Sequence, residues 1–200
     1  MKPTETLKVV EIFYSIQGEG ANFGKAAIFV RLSDCNMRCW YCDTDWRRGT
    51  VMTLKEVKQA IQSYPCKMII WTGGEPTLQL TDDILSFFDG YYHCIETNGT
   101  NKVPSGIDYI SCSPKVSTET LRANFQAVDE FRYPIGSGDI PPLLSELPPA
   151  TNYFVSPIFL GAEQERFDLN SENVNYCIDF VKQHPEWRLS MQMHKLLKIE

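Results

Sequence analysis

The 200-residue chain is predicted to be an α/β protein, an incomplete TIM-like barrel of parallel strands with about three main helices. Three observations carry that expectation. Short runs rich in β-branched and aromatic residues recur along the chain, bounded by Gly, Pro, Asn or Ser. Segments of helical period fall between several of them, the order that gives parallel strands joined by right-handed crossovers. A complete eight-fold barrel takes about 250 residues, so a shorter chain with fewer helices than strands suits an open one.

In chain order the strand-like runs are 8–14 (KVVEIFY), 26–32 (AAIFVRL), 68–71 (MIIW) and 91–95 (YYHCI). They continue with 107–111 (IDYIS), 127–132 (AVDEFR), 152–155 (NYFV) and 187–191 (WRLSM). The first helix opens with Thr53 and Glu56 in capping-box spacing, and Leu54, Val57 and Ile61 share a face. The second starts at Thr81 with two aspartates suited to a helix N-terminus, and Gly90 stops it. The third, 171–184, carries Val174, Cys177, Ile178 and Val181 on one side and ends before Pro185. The segment 136–150 holds Pro141, Pro142, Pro148 and Pro149 and reads as a surface loop within one domain spanning 1–200.

A hydrophobic share of 43% with 22% charge is that of a soluble globular protein with a real core. No apolar run approaches the roughly 20 residues needed to cross a bilayer, and the N-terminus lacks the layout of a signal peptide. A cytoplasmic, reducing setting is therefore expected, with the cysteines as thiols or metal ligands. The net charge of -6, with no stripe of Lys and Arg, argues against nucleic-acid binding and for a small-molecule substrate.

Three of the seven cysteines, Cys35, Cys39 and Cys42, follow a C-x3-C-x2-C spacing just after the AAIFVRL strand. Thiolates suit zinc, copper(I) or iron–sulfur clusters. Zinc needs a fourth ligand, and Cys66, Cys94, Cys112 and Cys177 each stand alone where a cysteine is usually a small apolar residue. His93, on a strand, reads as structural. A cubane of four irons and three thiolates is the other solution, with one iron left open for chemistry. A zinc knuckle short of a ligand remains the alternative.

This spacing, with the aromatic Tyr41 before the last cysteine, resembles the signature of the radical S-adenosylmethionine superfamily. The resemblance implies a 4Fe-4S cluster on the three cysteines whose open iron chelates S-adenosylmethionine, and cleavage of that cofactor to a 5′-deoxyadenosyl radical. TGGEP (72–76) follows the MIIW strand; its glycines let a ligand approach the backbone, and Glu75 offers an acceptor for an ammonium group. ETNGT (96–100) and SPK (113–115) end the next two strands, where parallel folds build their sites.

The run EIFYSIQGEGANFGKAAIFVRLSDCNMRCWYCDT and the ending WRLSMQMHKLLKIE resemble the 7-carboxy-7-deazaguanine synthase family. The family resemblance implies a radical lyase that converts 6-carboxy-5,6,7,8-tetrahydropterin to 7-carboxy-7-deazaguanine with loss of ammonia. Hydrogen abstraction at C6 and ring contraction would be its steps, on the route to queuosine-type deazaguanines. It assigns Ile16, Gln17, Gly18 and Glu19 to the pterin ring, and Arg31 to the substrate carboxylate. Thr44 becomes a ligand of Mg2+, and Thr72, His194 and Glu200 become substrate contacts. Tyr41, Gly74, Glu75, Ser113, Pro114 and Lys115 would hold S-adenosylmethionine, with Ser156, Pro157, Ile158 and Phe159 as a further cofactor loop. Asp34 stands where relatives commonly carry glycine, and is expected to add negative charge beside the cluster. A flavodoxin-like or other low-potential reductant and a homodimer are the implied partners.

Two rivals share parts of this pattern. A glycyl-radical activase would keep the cysteines and GGEP but needs a surface for a partner protein, whereas QGEG with Arg31 suits a small carboxylated heterocycle. A zinc-binding interaction module would keep only the cysteines.

Overall fold

The computed structural model describes residues 6–161 and 167–199. Its framework is a nine-stranded sheet in the order β3-β1-β2-β4-β5-β6-β7-β8-β9. The strands are β1 (Thr6–Ile16), β2 (Ala26–Leu32), β3 (Thr50–Thr53), β4 (Met68–Gly73) and β5 (Tyr92–Thr97). They are followed by β6 (Tyr109–Cys112), β7 (Val128–Ile135), β8 (Ala150–Pro157) and β9 (Arg188–Leu189). From β2 to β9 every neighbouring pair is parallel. β3 and β9 lie at opposite edges, so the sheet is an open, partial barrel.

The expectation of an all-parallel sheet is corrected at one end. β1 pairs antiparallel with both β2 and β3. The connection 17–25 between β1 and β2 contains one short turn of helix, Gly20–Asn22. That is too little chain for a crossover, so the strand must fold straight back. β3 was not expected, because four residues leading into a helix carry no alternation to read.

The three expected helices are present as α1 (Leu54–Gln62), α2 (Asp82–Phe87) and, third among them, Glu172–Gln183. α1 has the full capping box: Thr53 accepts from the Glu56 N–H, and the Glu56 carboxylate accepts from the Thr53 N–H at 2.7 Å. Two more short helices were not read from the sequence, α3 (Thr118–Asn124) and a C-terminal one at Met193–Leu197. α3 buries only Leu121, which leaves no period to detect. In chain order the last two helices are α4 (172–183) and α5 (193–197). No helix among the described residues is long and apolar enough to cross a membrane.

Strand alternation divides the buried residues into two faces. Ile28, Val30, Ile69, Trp71 and Ile95 face the helices and meet Val57, Ile61 and Leu85. On β6, β7 and β8, Cys112, Phe131 and Val155 continue that layer against Leu121 and Cys177. The concave face begins with an apolar floor of Phe13, Phe29, Ile70 and Cys94, in which the Phe13 and Phe29 rings stack at 4.9 Å. One step towards the strands' C-terminal ends the same face turns polar. Register places Arg31 beside Thr72, Glu96 beside Ser111, and Ser111 beside Glu130.

His93 is structural, as its strand position indicated. The Trp71 indole N–H donates to its Nδ1 at 3.1 Å, and burial pushes its pKa down. Cys94, Cys112 and Cys177 are buried apolar residues, while Cys66 is half-buried.

Thr53→Ala removes both hydrogen bonds of the Thr53 hydroxyl at the N-terminus of α1. A loss of about 1 kcal/mol in chemical denaturation is expected, with the circular dichroism of the native state unchanged.

Candidate active site

The cysteine loop leaves the C-terminal end of β2 at Ser33 and returns at β3. It is pinned at its start. The Glu75 N–H donates to the Asp34 carbonyl at 2.9 Å, and the Gly74 N–H to the Leu32 carbonyl at 2.9 Å. A Cβ on Gly74 would collide with that Asp34 carbonyl, so glycine is required there by close approach. Asp34 itself sits at φ 68, a left-handed conformation that explains why glycine suits the position. Its charge is not left to act on the cysteines alone: Lys8 pairs with it at 3.0 Å.

Cys35, Cys39 and Cys42 line one cavity of about 250 Å³. None is in a disulfide. The Cys42 N–H donates to the Cys39 carbonyl at 3.2 Å, closing the turn, and the Met37 N–H donates to Cys35 Sγ at 3.4 Å. Burial pushes the Cys35 thiol up, and Glu75 and the other two thiols push it the same way. Three free thiols on one cavity wall are soft donors of the kind a 4Fe-4S group takes, each thiolate on a different iron.

The same cavity is walled by Tyr41, Gly74, Ser113 and Lys115 and by the end of β8, Ser156 to Phe159. Lys115 Nζ donates to the Ser113 carbonyl and hydroxyl, both at 2.9 Å, and lies 5.6 Å from the Tyr41 ring centre. Burial lowers the Lys115 pKa and raises that of Tyr41 above its usual range. Pro114 is buried and is not among the lining residues.

Glu75 is not among the lining residues of this cavity. Its side chain is fully buried, and its carboxylate accepts from Thr77 N–H and O–H, Thr97 O–H and Asn98 N–H at 2.6–3.1 Å. With four internal donors it braces the turns after β4 and β5 against each other.

A second cavity, of about 530 Å³, adjoins the first. Glu19, Asp43, Thr44, Thr72, Glu96, Gln192 and Lys195 line both and form the wall between them. Ile16, Gln17, Gly18, Arg31 and His194 line the second only. The structure thus gathers around it every expected substrate residue except Glu200, which lies outside the described residues. Arg31 Nε is held by Glu11 at 2.6 Å, an ion pair that orients the guanidinium at the strand end. Thr44 reaches Asp43 Oδ1 at 3.4 Å. Asp43 in turn takes Lys195 Nζ at 2.6 Å, tying α5 to the cysteine loop. Burial opposes the Asp43 charge, but Lys195 outweighs it and lowers the pKa.

The centre of the concave face was not visible in the sequence. Arg132, 7% exposed, pairs with Glu19 at 2.7 Å, Glu96 at 2.7 Å and Glu130 at 2.9 Å. Burial works against the Glu96 charge, yet Arg132, with hydrogen bonds from Thr72 and Gln17, holds that carboxyl at about 2. Burial pushes Glu19 up to about 7 against the opposing Arg132. The only signal was an arginine alternating with a glutamate in VDEFRYPI, at positions that share a sheet face.

Residues 30–131 match the model of the radical SAM superfamily. A 7-carboxy-7-deazaguanine synthase of Bacteroides thetaiotaomicron is 39% identical over 194 residues, covering 96% of this chain and 98% of that one. The chain belongs to the 7-carboxy-7-deazaguanine synthase family. A second family member, from Neisseria meningitidis, is 36% identical over 205 residues, covering 96% and 94%. The crystal structure of QueE from Escherichia coli superposes with a TM-score of 0.66 at 22% identity, covering 93% of each chain, a likeness of fold. Membership in the radical SAM superfamily brings the 4Fe-4S cluster and S-adenosylmethionine as cofactors, which the three-thiol cavity fits.

Glu19 makes stability depend on pH. Its folded pKa, about 7, lies above the ordinary 4.5, so its contribution is complete below pH 4.5 and lost as pH rises through 7. Wild-type protein should lose on the order of 2 kcal/mol from this group between pH 5 and pH 8. Glu19→Gln should match wild type at pH 5 and exceed it at pH 8 in urea unfolding; parallel curves would contradict the assignment. Glu75→Ala, which strands buried donors, should cost about 3 kcal/mol, read in the same experiment.

Proposed function

We propose that the chain acts as a 7-carboxy-7-deazaguanine synthase, a radical S-adenosylmethionine lyase taking 6-carboxy-5,6,7,8-tetrahydropterin to 7-carboxy-7-deazaguanine with loss of ammonia. One observation carries the reading beyond family membership: two adjoining cavities share a polar wall, one bearing the three thiols and the other Arg31 with paired carboxylates.

When bound, the cluster and S-adenosylmethionine would supply an adenosyl radical that removes the hydrogen at C6 of the pterin. The protein's part is to hold, orient and exclude water. Cys35, Cys39 and Cys42 would anchor the cluster. Tyr41, Gly74, Ser113, Lys115 and the 156–159 segment shape the cofactor side, with Pro114 buried in the chain between Ser113 and Lys115. Glu75 supports that side by bracing the loops. Across the wall, Ile16, Gln17, Gly18, Glu19, Thr72 and His194 surround the ring, with carboxylate and carboxamide groups suited to the N–H edge of a guanine-like heterocycle. Arg31, oriented by Glu11 at Nε, is the cation for the substrate carboxylate. Thr44 lines both cavities, and its hydroxyl together with substrate oxygens suits Mg2+. A flavodoxin-like low-potential donor as reductant, a homodimeric state and a cytoplasmic setting complete the proposal.

Anaerobically reconstituted protein given S-adenosylmethionine, reductant, Mg2+ and the carboxytetrahydropterin is expected to release 5′-deoxyadenosine and 7-carboxy-7-deazaguanine. Formation of 5′-deoxyadenosine without the deazaguanine would sink the substrate assignment. Cys39→Ala should abolish both products. Arg31→Ala should raise KM for the pterin about tenfold, the loss of about 1.4 kcal/mol of binding; unchanged turnover at low substrate would contradict its role.

A further inference from the structure

In the lining of the first cavity, beside the wall it shares with the second, stands a group that the reaction as described does not use. The Arg132 guanidinium is spread over four segments of the fold. Nη1 donates to Glu19 Oε2 at 2.7 Å, and Nη2 to Glu96 Oε1 at 2.7 Å. Nε faces Glu130 Oε1 at 2.9 Å, and Nε and Nη2 both donate to Ser111 Oγ, at 2.8 and 2.6 Å. Glu19 follows β1, Glu96 ends β5, Ser111 stands on β6 and Glu130 on β7.

We infer that Arg132 is a positioning residue for the substrate: its rigid fork holds one oxygen of Glu19 and one of Glu96, setting the spacing and tilt at which the two carboxylates meet the N–H edge of a bound pterin. The inference rests on the proposed function. Its physical basis is the geometry of guanidinium, whose donors lie in one plane at fixed separation, so two carboxylates bound to it cannot move independently. The remaining contacts hold the same pair. Gln17 Nε2 donates to Glu96 Oε1 at 3.0 Å and Thr72 to Glu96 Oε2 at 2.9 Å, while the Glu19 N–H donates back to Gln17 Oε1 at 3.1 Å.

Glu130 completes the device from below. Its Oε2 accepts from the Ala21 N–H at 2.8 Å and from the Tyr109 hydroxyl at 2.9 Å. Gly20, at φ +65, lies so close that a Cβ there would run into the Glu130 carboxylate. The turn that carries Glu19 is therefore fastened to Arg132 twice, directly and through Glu130. One guanidinium facing three carboxylates also leaves the pocket short of positive charge. The groups acting on Glu19 are Arg132, Glu96, Asp43 and Lys195, and burial exceeds them all in holding its carboxyl near 7, while Glu96 remains ionised. A donor-rich ring supplies what the pocket lacks.

Two variants separate fork from charge. Arg132→Lys keeps the charge but cannot span both carboxylates. The double variant Arg132→Gln/Glu130→Gln removes a balanced pair and preserves hydrogen-bonding groups, so that one folded variant is available should the other fail. In each, steady-state kinetics with the pterin should show KM raised tenfold or more and kcat within threefold of wild type. Arg132 also lines the cofactor cavity, so cleavage of S-adenosylmethionine without pterin is the comparison, and it should fall clearly less than turnover at low pterin. A KM within twofold of wild type in a folded variant would overturn the positioning role. So would an equal loss in both assays, which is the result of general disruption. Carbon-13 NMR of glutamate-labelled apoprotein supplies a readout independent of catalysis. The Glu19 carboxyl should titrate near neutrality in wild type and move by a unit or more in Arg132→Lys. If wild type itself turns over no pterin, the proposed function fails, and the NMR alone decides: unchanged titration of Glu19 and Glu96 overturns the fork.

Discussion

Arg132 comes up from β7 to the floor of the first cavity, where Glu19, Glu96 and Glu130 converge on it. Each of these charges would be costly alone in such a place, and their burial is tolerated only because every one has a partner at hydrogen-bonding distance. That condition constrains the fold. β5, β6 and β7 must lie in parallel register, and the turn after β1 must return across the concave face, or the network comes apart. A buried arginine with three carboxylates is a poor source of stability, since packed apolar groups of similar volume would serve as well. It is a good source of orientation. The part of the sheet that faces the second cavity is therefore organised by polar pairing, and the floor beneath it by stacked Phe13 and Phe29 with Ile70.

The two cavities depend on how the connections leave the parallel strands. Side chains of one parity form layers across neighbouring strands, and loops at the C-terminal ends close over the last layer. The cysteine loop after β2 and the TGGEP turn after β4 meet because Gly74 lets the Asp34 carbonyl approach its backbone. The β4 and β5 turns are joined by the fully buried carboxylate of Glu75. α5 reaches the same rim from the far end of the chain, through Lys195 and Asp43. Three thiols thus face a preformed cofactor cavity, with the substrate side one wall away.

Much of this was legible before any coordinates. Contiguous motifs were readable because their chemistry is local. The spacing of Cys35, Cys39 and Cys42 is set by one loop, QGEG by one turn, and the capping box of α1 by four consecutive residues. The internal bonding of Glu75 was not legible, because the donors its carboxylate meets depend on what another strand places beside it. β1 was assigned to a parallel sheet for a related reason, since strand direction follows from the length of a connection and the pairing partner, not from composition. Arg132 read as an ordinary strand residue, because the three glutamates that define it lie from 2 to 113 residues away.

The sequence by itself determined the α/β class, the positions of most strands and helices, and the family, since each is written in local period or in contiguous motif. It also named most of the residues that line the two cavities. Only the tertiary structure decided that the cavities share a wall, that Glu75 is a brace, and that Arg132 holds Glu19 and Glu96 in one fork. Those outcomes depend on pairings between distant segments, and burial then sets the charges: the same carboxyl group rests at about 2 as Glu96 and about 7 as Glu19. Burial raises both, and the difference comes from the donors each meets: Glu96 takes hydrogen bonds from Arg132, Thr72 and Gln17, a set that is not encoded at either position alone.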